Sequence, residues 1–194
     1  MKNLKKIFLC LILLTFVFVL MSCGNPLKKA KTGWFYYSDG SCSEVYNSSK
    51  SVIGVVFSDA YVDDERDATK YVLKNGWLLL EKATWTIGST YRKDTIVGKD
   101  INTWYIPSEE EAFSIFCYKN RLNASLQSLR DNNINGTTTI HGAIWTTDTS
   151  ILDSNRGIAI DFDSKDGWTG AVKTGSKNLD LCLWPIMKVY EPNK

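Results

Sequence analysis

The chain has 194 residues, with 23 lysine and arginine residues against 21 aspartate and glutamate residues, five cysteines and one histidine. This length allows one domain or at most two small ones, and an apolar fraction of 44% excludes wholesale disorder. The formal charge of +2 provides no basic field for nucleic acid. The single histidine, His141, excludes metal sites that need two imidazoles and argues against a catalytic triad.

The first 22 residues predict an export signal. Met1–Lys6 contains three lysines, and an apolar run of 15 residues follows over Ile7–Met21. A spanning helix needs about 20 residues, whereas a basic start before a short apolar core is typical of a secretory signal. Leu20-Met21-Ser22-Cys23 resembles the signal box of bacterial lipoproteins. The resemblance implies cleavage before Cys23, lipidation of this cysteine and a membrane anchor formed by its acyl chains.

Removal of residues 1–22 leaves 172 residues with 20 basic and 21 acidic side chains. A chain of this size buries about 70% of its unfolded surface, which is enough for a core without disulfides. Besides Cys23, three cysteines remain: Cys42, Cys117 and Cys182. Three thiols allow at most one disulfide, and the sequence does not select the pair. Cys117 is expected to be a buried thiol, because it follows Ile115 and Phe116 on a predicted helix.

The folded domain is predicted over residues 33–190, after a polar tether at residues 23–32. Trp34–Tyr37 forms an aromatic run of strand character, and Ser38-Asp39-Gly40 is a turn signal. Ser51–Ser58 is rich in valine and isoleucine and has the length of a strand.

An acidic loop at Asp59–Asp67 precedes the strongest hairpin signal of the chain. Tyr71–Lys74 and Trp77–Leu80 flank Asn75-Gly76, and Asn-Gly favours the two positive φ angles of a type I′ turn. The pattern predicts that these two segments pair as antiparallel strands.

Helices are predicted in the middle of the chain and strands at both ends. Ser108 followed by Glu111 is a capping box that begins one helix, and a second helical stretch is expected over Asn123–Arg130. Four more strands are predicted: Gly142–Trp145, Gly157–Phe162, Trp168–Lys173 and Leu183–Tyr190. This order predicts an α+β domain whose termini meet in one sheet.

Seven segments together carry a family resemblance: Gly33–Gly40, Val52–Phe57, Trp104–Glu111, Leu122–Leu126, Ala143–Thr147, Ile158–Gly167 and Ile186–Tyr190. In this order they resemble the C-type-lectin-like domain of bacterial surface lipoproteins, of the Lcl C-terminal domain type. The resemblance implies a C-type-lectin-like fold with two central helices and short antiparallel strands, which is shared with formylglycine-generating enzymes. One position departs from the family, because Lys188 stands where an arginine is usual.

The resemblance also implies a recognition face on the strands and loops that follow the helices. Its candidate ligand-binding residues are Trp145, Thr147, Asp148, Asp153, Asn155, Arg156, Lys165 and Trp168. Aromatic, amide and hydroxyl side chains are typical of such surfaces. We therefore expect a non-catalytic binding protein of the cell envelope, anchored by its lipid at the outer membrane or cell surface, which recognises an extracellular protein or glycan and uses no cofactor. The alternatives are a catalytic domain like the formylglycine-generating enzymes, or a purely structural envelope lipoprotein.

Several acidic motifs and His141 have simpler interpretations than a metal or catalytic site. Asp161-x-Asp163-x-x-Asp166-Gly167 is one residue longer than the calcium loop D-x-D-x-D-G, so a turn is favoured. Glu191-Pro192-Asn193 spells the sugar motif of animal C-type lectins, but no Trp-Asn-Asp strand follows it. Glu109–Glu111 is explained by helix capping, and His141 is expected to be a satisfied loop residue. No metal ligand and no catalytic residue is therefore predicted.

Overall fold

A computed structural model describes residues 27–62, 68–76, 84–85 and 104–192. The predicted signal, Cys23, most of the acidic loop and the segment Trp77–Leu80 lie outside the described residues. The strands are β1 (Phe35–Tyr37), β2 (Cys42–Ser43), β3 (Val52–Ser58), β4 (Lys70–Lys74), β5 (Ala143–Thr149), β6 (Arg156–Asp161), β7 (Val172–Ser176) and β8 (Ile186–Tyr190), and the helices are α1 (Glu109–Asp131) and α2 (Gly167–Ala171). Among these residues, no helix combines the length and apolar character needed to cross a bilayer.

The larger sheet has five antiparallel strands in the order β2-β1-β3-β4-β8. Its central strand β3 has the valine- and isoleucine-rich sequence that predicted it, and six of its seven residues are buried. The first and last strands of the domain belong to this one sheet, although β3 and β4 separate β1 from β8. The α+β class and the meeting of both termini in one sheet are thus confirmed.

Both faces of the larger sheet are covered. Alternate side chains such as Val55 and Leu73 pack towards α1, whereas Val56, Val72 and Met187 pack on the opposite side. The segment 27–34 covers that second side, because Ala30 is only 1% exposed. Residues 27–32 of the predicted tether therefore belong to the folded domain.

Backbone and side-chain hydrogen bonds fix that segment to β3. Gly33 N donates to Val56 O at 2.8 Å, and Ser58 N donates to the buried Thr32 Oγ1 at 3.2 Å. Three lysines give the segment a polar sequence, but its alanine and leucine supply the apolar contacts with the sheet.

The strand at Tyr71–Lys74 is confirmed, but its predicted hairpin is not. β4 pairs with β3 along one edge and with β8 along the other, so no edge is left for a following strand. Asn-Gly is a local turn signal, whereas the pairing of β4 is decided by apolar contacts from distant parts of the chain.

The two predicted helical stretches form one continuous helix, α1, of 23 residues. Ser108 caps it as predicted, and the reciprocal bonds of the capping box with Glu111 are both present. The predicted break is wrong, because no proline or glycine interrupts the segment. Asn123 lies within the helix without ending it, since its side chain binds the backbone of Ile140 at 2.6 and 3.2 Å rather than its own turn.

The smaller sheet has the order β5-β6-β7 and is also antiparallel. The predicted strand over Trp168–Lys173 is partly wrong, because its first four residues belong to the short helix α2 and only Val172 and Lys173 lie in β7. Gly167, with φ of 68°, provides the left-handed turn that starts α2.

Two isolated bridges attach neighbouring segments to the sheets, one to the larger sheet and one to the smaller. Tyr105 pairs with Ile186 of β8, and Ile144 of β5 pairs with Cys182. Tyr105 N donates to Ile186 O at 2.9 Å, and Ile186 N donates to Tyr105 O at 2.8 Å. The N-terminus of α1 therefore lies at the seam between the two sheets.

Candidate functional site

A cleft opens at this seam, where the ends of β3, β4 and β5 approach the N-terminus of α1. It consists of an inner cavity of about 280 Å³ and an outer cavity of about 480 Å³, which share Tyr61, Ser108 and Glu110. The inner cavity is also lined by Asp59, Tyr71, Tyr105, Ile106, Glu111, Ser114 and Thr147, and the outer one by Glu109, Asp148 and Trp168. These two cavities are together termed the acidic cleft.

The floor of the acidic cleft is a fixed hydrogen-bond frame around Glu111. The Tyr105 hydroxyl donates to Glu111 Oε1 at 2.8 Å, and Ser108 N donates to Glu111 Oε2 at 3.0 Å. In return, Glu111 N donates to Ser108 Oγ at 3.2 Å. Burial, together with the Glu111 charge, raises the pKa of Tyr105 far above its usual range, so its hydroxyl stays a proton donor.

Asp148 links the smaller sheet to the same helix end. Glu109 N donates to Asp148 Oδ2 at 2.5 Å, which satisfies a backbone donor in the first turn of α1. Helix capping therefore accounts for Ser108, Glu111 and Asp148, and it holds β5 against α1.

Tyr71 lines the acidic cleft but takes no part in capping α1. It is only 7% exposed and lines the inner cavity, and its ring stacks on Phe57 at a centroid distance of 5.2 Å. Its hydroxyl has no hydrogen-bond partner among the described residues. Burial, followed by the charges of Glu111 and Asp59, raises the pKa of Tyr71, so the hydroxyl stays neutral.

The cleft carries an excess of negative charge. Asp59, Glu109 and Glu110 form no ion pair with any described residue, and none of the described lining residues is basic. Burial and the neighbouring charges of Asp148 and Glu110 raise the pKa of Glu109. Lys188 is opposite Tyr71 in the β4–β8 register, but its ammonium already pairs with Glu191 at 2.8 Å.

Aromatic rings form the outer wall. Tyr61 packs on Phe113 at 5.0 Å, and Trp168 contacts Phe113 at 5.0 Å and Phe116 at 5.5 Å, both edge to face. Tyr61 remains 67% exposed, so the wall presents aromatic surface to solvent.

No family model, no curated protein and no solved structure matches the chain. The C-type-lectin-like resemblance therefore stays a prediction drawn from seven segments.

The eight residues of the predicted recognition face do not lie together in the structure. Thr147 lines the inner cavity, and Asp148 and Trp168 line the outer one. The prediction that Trp145 lies on a surface is wrong, because the residue is 0% exposed; its indole N–H donates to Leu179 O at 3.2 Å. The even alternation of a short strand does not reveal which of its faces is covered.

The other four predicted residues lie outside the cleft lining. Asp153, Asn155 and Arg156 lie at the β5–β6 connection, and Lys165 lies in the loop between β6 and α2. All four are exposed. Asp153 Oδ1 accepts from Asn155 N at 2.9 Å within the loop, whereas Arg156, at the start of β6, donates to Thr174 O of β7 at 2.7 Å.

Sequence reasoning missed the tyrosines of the cleft. Tyr71 and Tyr105 lie in strand-like segments where aromatic residues are ordinary core residues, so nothing in the sequence distinguishes them. Asp59 and Glu110 belong to acidic clusters whose sequence patterns predict a loop and a helix cap, and neither pattern by itself indicates a binding site.

The metal and cysteine interpretations have separate outcomes. Asp161 ends β6, and Gly167 turns with a φ of 68° just before Trp168, as the strand end and Asp-Gly turn predict. Within the described ranges no three His, Cys, Asp or Glu side chains are positioned to hold a metal. Cys42, Cys117 and Cys182 are all thiols, and Cys117 is exposed rather than buried as predicted. His141 is a loop residue as predicted, and its Nδ1 lies 2.6 Å from Thr139 O.

Proposed function

We propose that this chain is a lipid-anchored protein of the cell envelope that binds a protein or glycan ligand in the acidic cleft and catalyses no reaction. The observation that carries the proposal is Tyr71: a hydroxyl on a 93%-buried residue faces a cavity of about 280 Å³ with no described partner. Because this hydroxyl borders the cavity and is not engaged by any described residue, a ligand that enters the cavity can form a hydrogen bond with it.

The envelope location is supported by the signal-like segment and the lipoprotein-type box ending at Cys23. Leu27 packs against the domain, and the four residue steps from Cys23 to Leu27 reach about 14 Å at most. A lipid on Cys23 would thus hold the domain close to the bilayer surface.

The C-type-lectin-like assignment is supported by the α+β class, by a long helix between two sets of strands and by the return of the last strand to the first sheet. The continuous α1 departs from the expected pair of helices. The binding role rests on the cleft and does not depend on this assignment.

The absence of catalysis is proposed on the chemistry of the described cleft. Its side chains are carboxylates, hydroxyls and aromatic rings, and neither His141 nor a cysteine lines it. If the domain were instead an enzyme of the cysteine-dependent type, a variant with serine at positions 42, 117 and 182 would lose activity. Retention of full biological function by this triple variant removes that alternative.

The binding role is tested with arrays of purified glycans and envelope proteins, probed with the intact protein purified in detergent. We expect saturable binding to at least one array member, weakened at least tenfold by Glu110→Gln. Asp131→Asn is the matched control, because it removes the same charge about 30 Å away along α1. Absence of any saturable ligand, or equal binding by Glu110→Gln, overturns the proposal.

The anchor is tested separately with a radiolabelled fatty acid and with protease treatment of intact cells. We expect the label on the wild type and none on Cys23→Ser. Cleavage of the domain by external protease places it at the cell surface, and an unlabelled wild type overturns the lipid anchor.

A further inference from the structure

The acidic cleft lacks a cation of its own within the described residues. Asp59, Glu109 and Glu110 form no ion pair there, and the charge of Lys188 is used by Glu191. Glu109 is bordered by Asp148 and by Glu110, so like charges crowd the helix end. Such a concave, acidic surface attracts positive ligands.

A small metal ion fits this surface poorly. Both carboxylate oxygens of Glu111 already accept hydrogen bonds, and one oxygen of Asp148 caps the helix. In the described parts of the chain, no three metal-binding side chains converge. The acids are spread along a cavity instead, which suits a cation with an organic body.

The aromatic wall fits the body of such a cation. Tyr61 and Trp168 border the outer cavity, while the Tyr71 hydroxyl lies at the inner one. Lysine and arginine side chains have an apolar stem and a charged head, and aromatic faces attract both parts. The inner hydroxyl offers an acceptor to the N–H groups of the head.

A basic protein side chain fits the lining better than a sugar does. Sugar hydroxyls need donors as well as acceptors, but the described lining side chains include no amide, guanidinium or ammonium group. Carboxylates only accept, and the Tyr105 hydroxyl already donates to Glu111. The lining hydroxyls and the Trp168 indole can also donate, but every charged group of the described lining is a carboxylate, which favours a cationic group that donates.

We infer that the acidic cleft binds the ammonium or guanidinium head of a lysine or arginine side chain of a partner protein. The inference rests on the proposed binding function and names its ligand chemistry. The head lies between Asp59 and Glu110 and donates to the Tyr71 hydroxyl, and the stem passes Tyr61 and Trp168 towards the outer cavity.

The test is calorimetric titration of the intact protein in detergent with acetyl-Gly-Lys-Gly-amide and its arginine counterpart. We expect saturable binding of both peptides and at least a tenfold loss when the lysine is Nε-acetylated, because acetylation removes the charge. Asp59→Asn and Glu110→Gln are expected to weaken binding at least tenfold, and Tyr71→Phe about threefold or more. Asp131→Asn is expected to bind as the wild type does.

Folding of each variant is checked by its thermal transition. Tyr71→Phe removes only a hydroxyl without a described partner, so it keeps the inference testable if the charge variants unfold. Equal binding of the acetylated peptide, or unchanged binding by folded Asp59→Asn, Glu110→Gln and Tyr71→Phe, overturns the inference.

Two further probes separate this inference from the proposed function. A glucosamine trimer that binds in a Glu110-dependent manner while the peptides do not would overturn the protein-side-chain inference and leave the binding function standing. Binding of calcium chloride in place of the peptides would overturn it in the same way. Failure of the peptides together with failure of the glycan and protein arrays overturns both proposals.

Discussion

The acidic cleft and the β5–β6 loop at residues 150–155 both hold the side chains expected of a recognition surface, but they hold them differently. In the loop, Ile151 and Leu152 are 99% and 97% exposed, and Leu152 N donates to Ser150 Oγ at 3.3 Å. In the cleft, buried rings and a helix cap fix the polar groups, and the Tyr71 hydroxyl keeps an unused bonding capacity. Recognition needs groups that are held in place and still unsatisfied, and composition alone does not reveal this.

The two regions are expected to differ most in the free energy of unfolding that is lost when a carboxylate is removed. Glu111→Ala loses the capping box and leaves the Tyr105 hydroxyl without its acceptor Glu111, so the free energy of unfolding is expected to fall by about 2–3 kcal/mol. Asp153→Ala in the loop is expected to change it by less than about 0.5 kcal/mol. Urea unfolding measures both, and equal losses would show that the cleft is no more fixed than the loop.

Removal of an apolar side chain is expected to give the next largest difference. Trp168→Ala removes edge-to-face contacts with Phe113 and Phe116, at a cost of about 2 kcal/mol for a half-buried ring. Leu152→Ala is expected to be neutral, because its side chain contacts solvent. Thermal unfolding of the two variants tests this, and a neutral Trp168→Ala contradicts the described aromatic wall.

Two tyrosines of the acidic cleft differ in the stability that their hydroxyl groups are expected to contribute. Tyr105→Phe removes a hydrogen bond to the Glu111 carboxylate and is expected to cost about 1–2 kcal/mol. Tyr71→Phe is expected to stay within about 0.5 kcal/mol of the wild type in the absence of ligand, since its hydroxyl has no described partner. Chemical unfolding of both variants is the measurement, and a large loss in Tyr71→Phe would reveal a structural role for that hydroxyl.

The smallest expected effect is the pH dependence of stability that arises from Glu109. The native state raises the pKa of Glu109 above its ordinary value of 4.5, so the native protein holds this proton more tightly than the unfolded chain. Stability associated with Glu109 therefore falls as pH rises through these two pKa values. Glu109→Gln removes this fall and is expected to raise stability at pH 7 by less than about 1 kcal/mol, because solvent screens a partly exposed charge.

The comparison for Glu109 is made by urea unfolding at pH 3.5 and pH 7, with Asp153→Asn as the loop control. The stabilisation by Glu109→Gln relative to wild type is expected to grow with pH, whereas the control is expected to show no such growth. A gain that is the same at both pH values would contradict a raised pKa of Glu109, caused by burial and by the neighbouring charges, as its source.

Local signals in the sequence predicted local structure well. Ser108 and Glu111 fixed the start of α1, and the β-branched run predicted β3, because both patterns depend on neighbouring residues alone. The break before Asn123 was avoidable, because no proline or glycine interrupts the segment, but the hairpin at Asn75-Gly76 and the surface position of Trp145 failed for another reason. Each depends on which distant segment packs nearby, and a single local pattern contains no such information.

Only part of the site was predicted, because some of its residues meet through packing between distant segments. The family resemblance implied that Asp148 and Trp168 are ligand-binding residues, and both line the outer cavity of the acidic cleft. Tyr71 and Tyr105 become site residues only when β4 and the bridge to β8 bring them to the end of α1. No spacing along the chain encodes that meeting.

The pairing of β4 with β8 has a consequence for the order of events in biosynthesis. Strand residues 70–74 bond to residues 186–190, and the Trp184 indole donates to Lys74 O across 110 positions at 2.7 Å. The central sheet therefore stays incomplete until nearly the whole domain has left the ribosome, and such distant contacts make folding slow. For the export proposed above, a nascent chain that cannot close this sheet early would stay unfolded, as passage through a translocation channel requires.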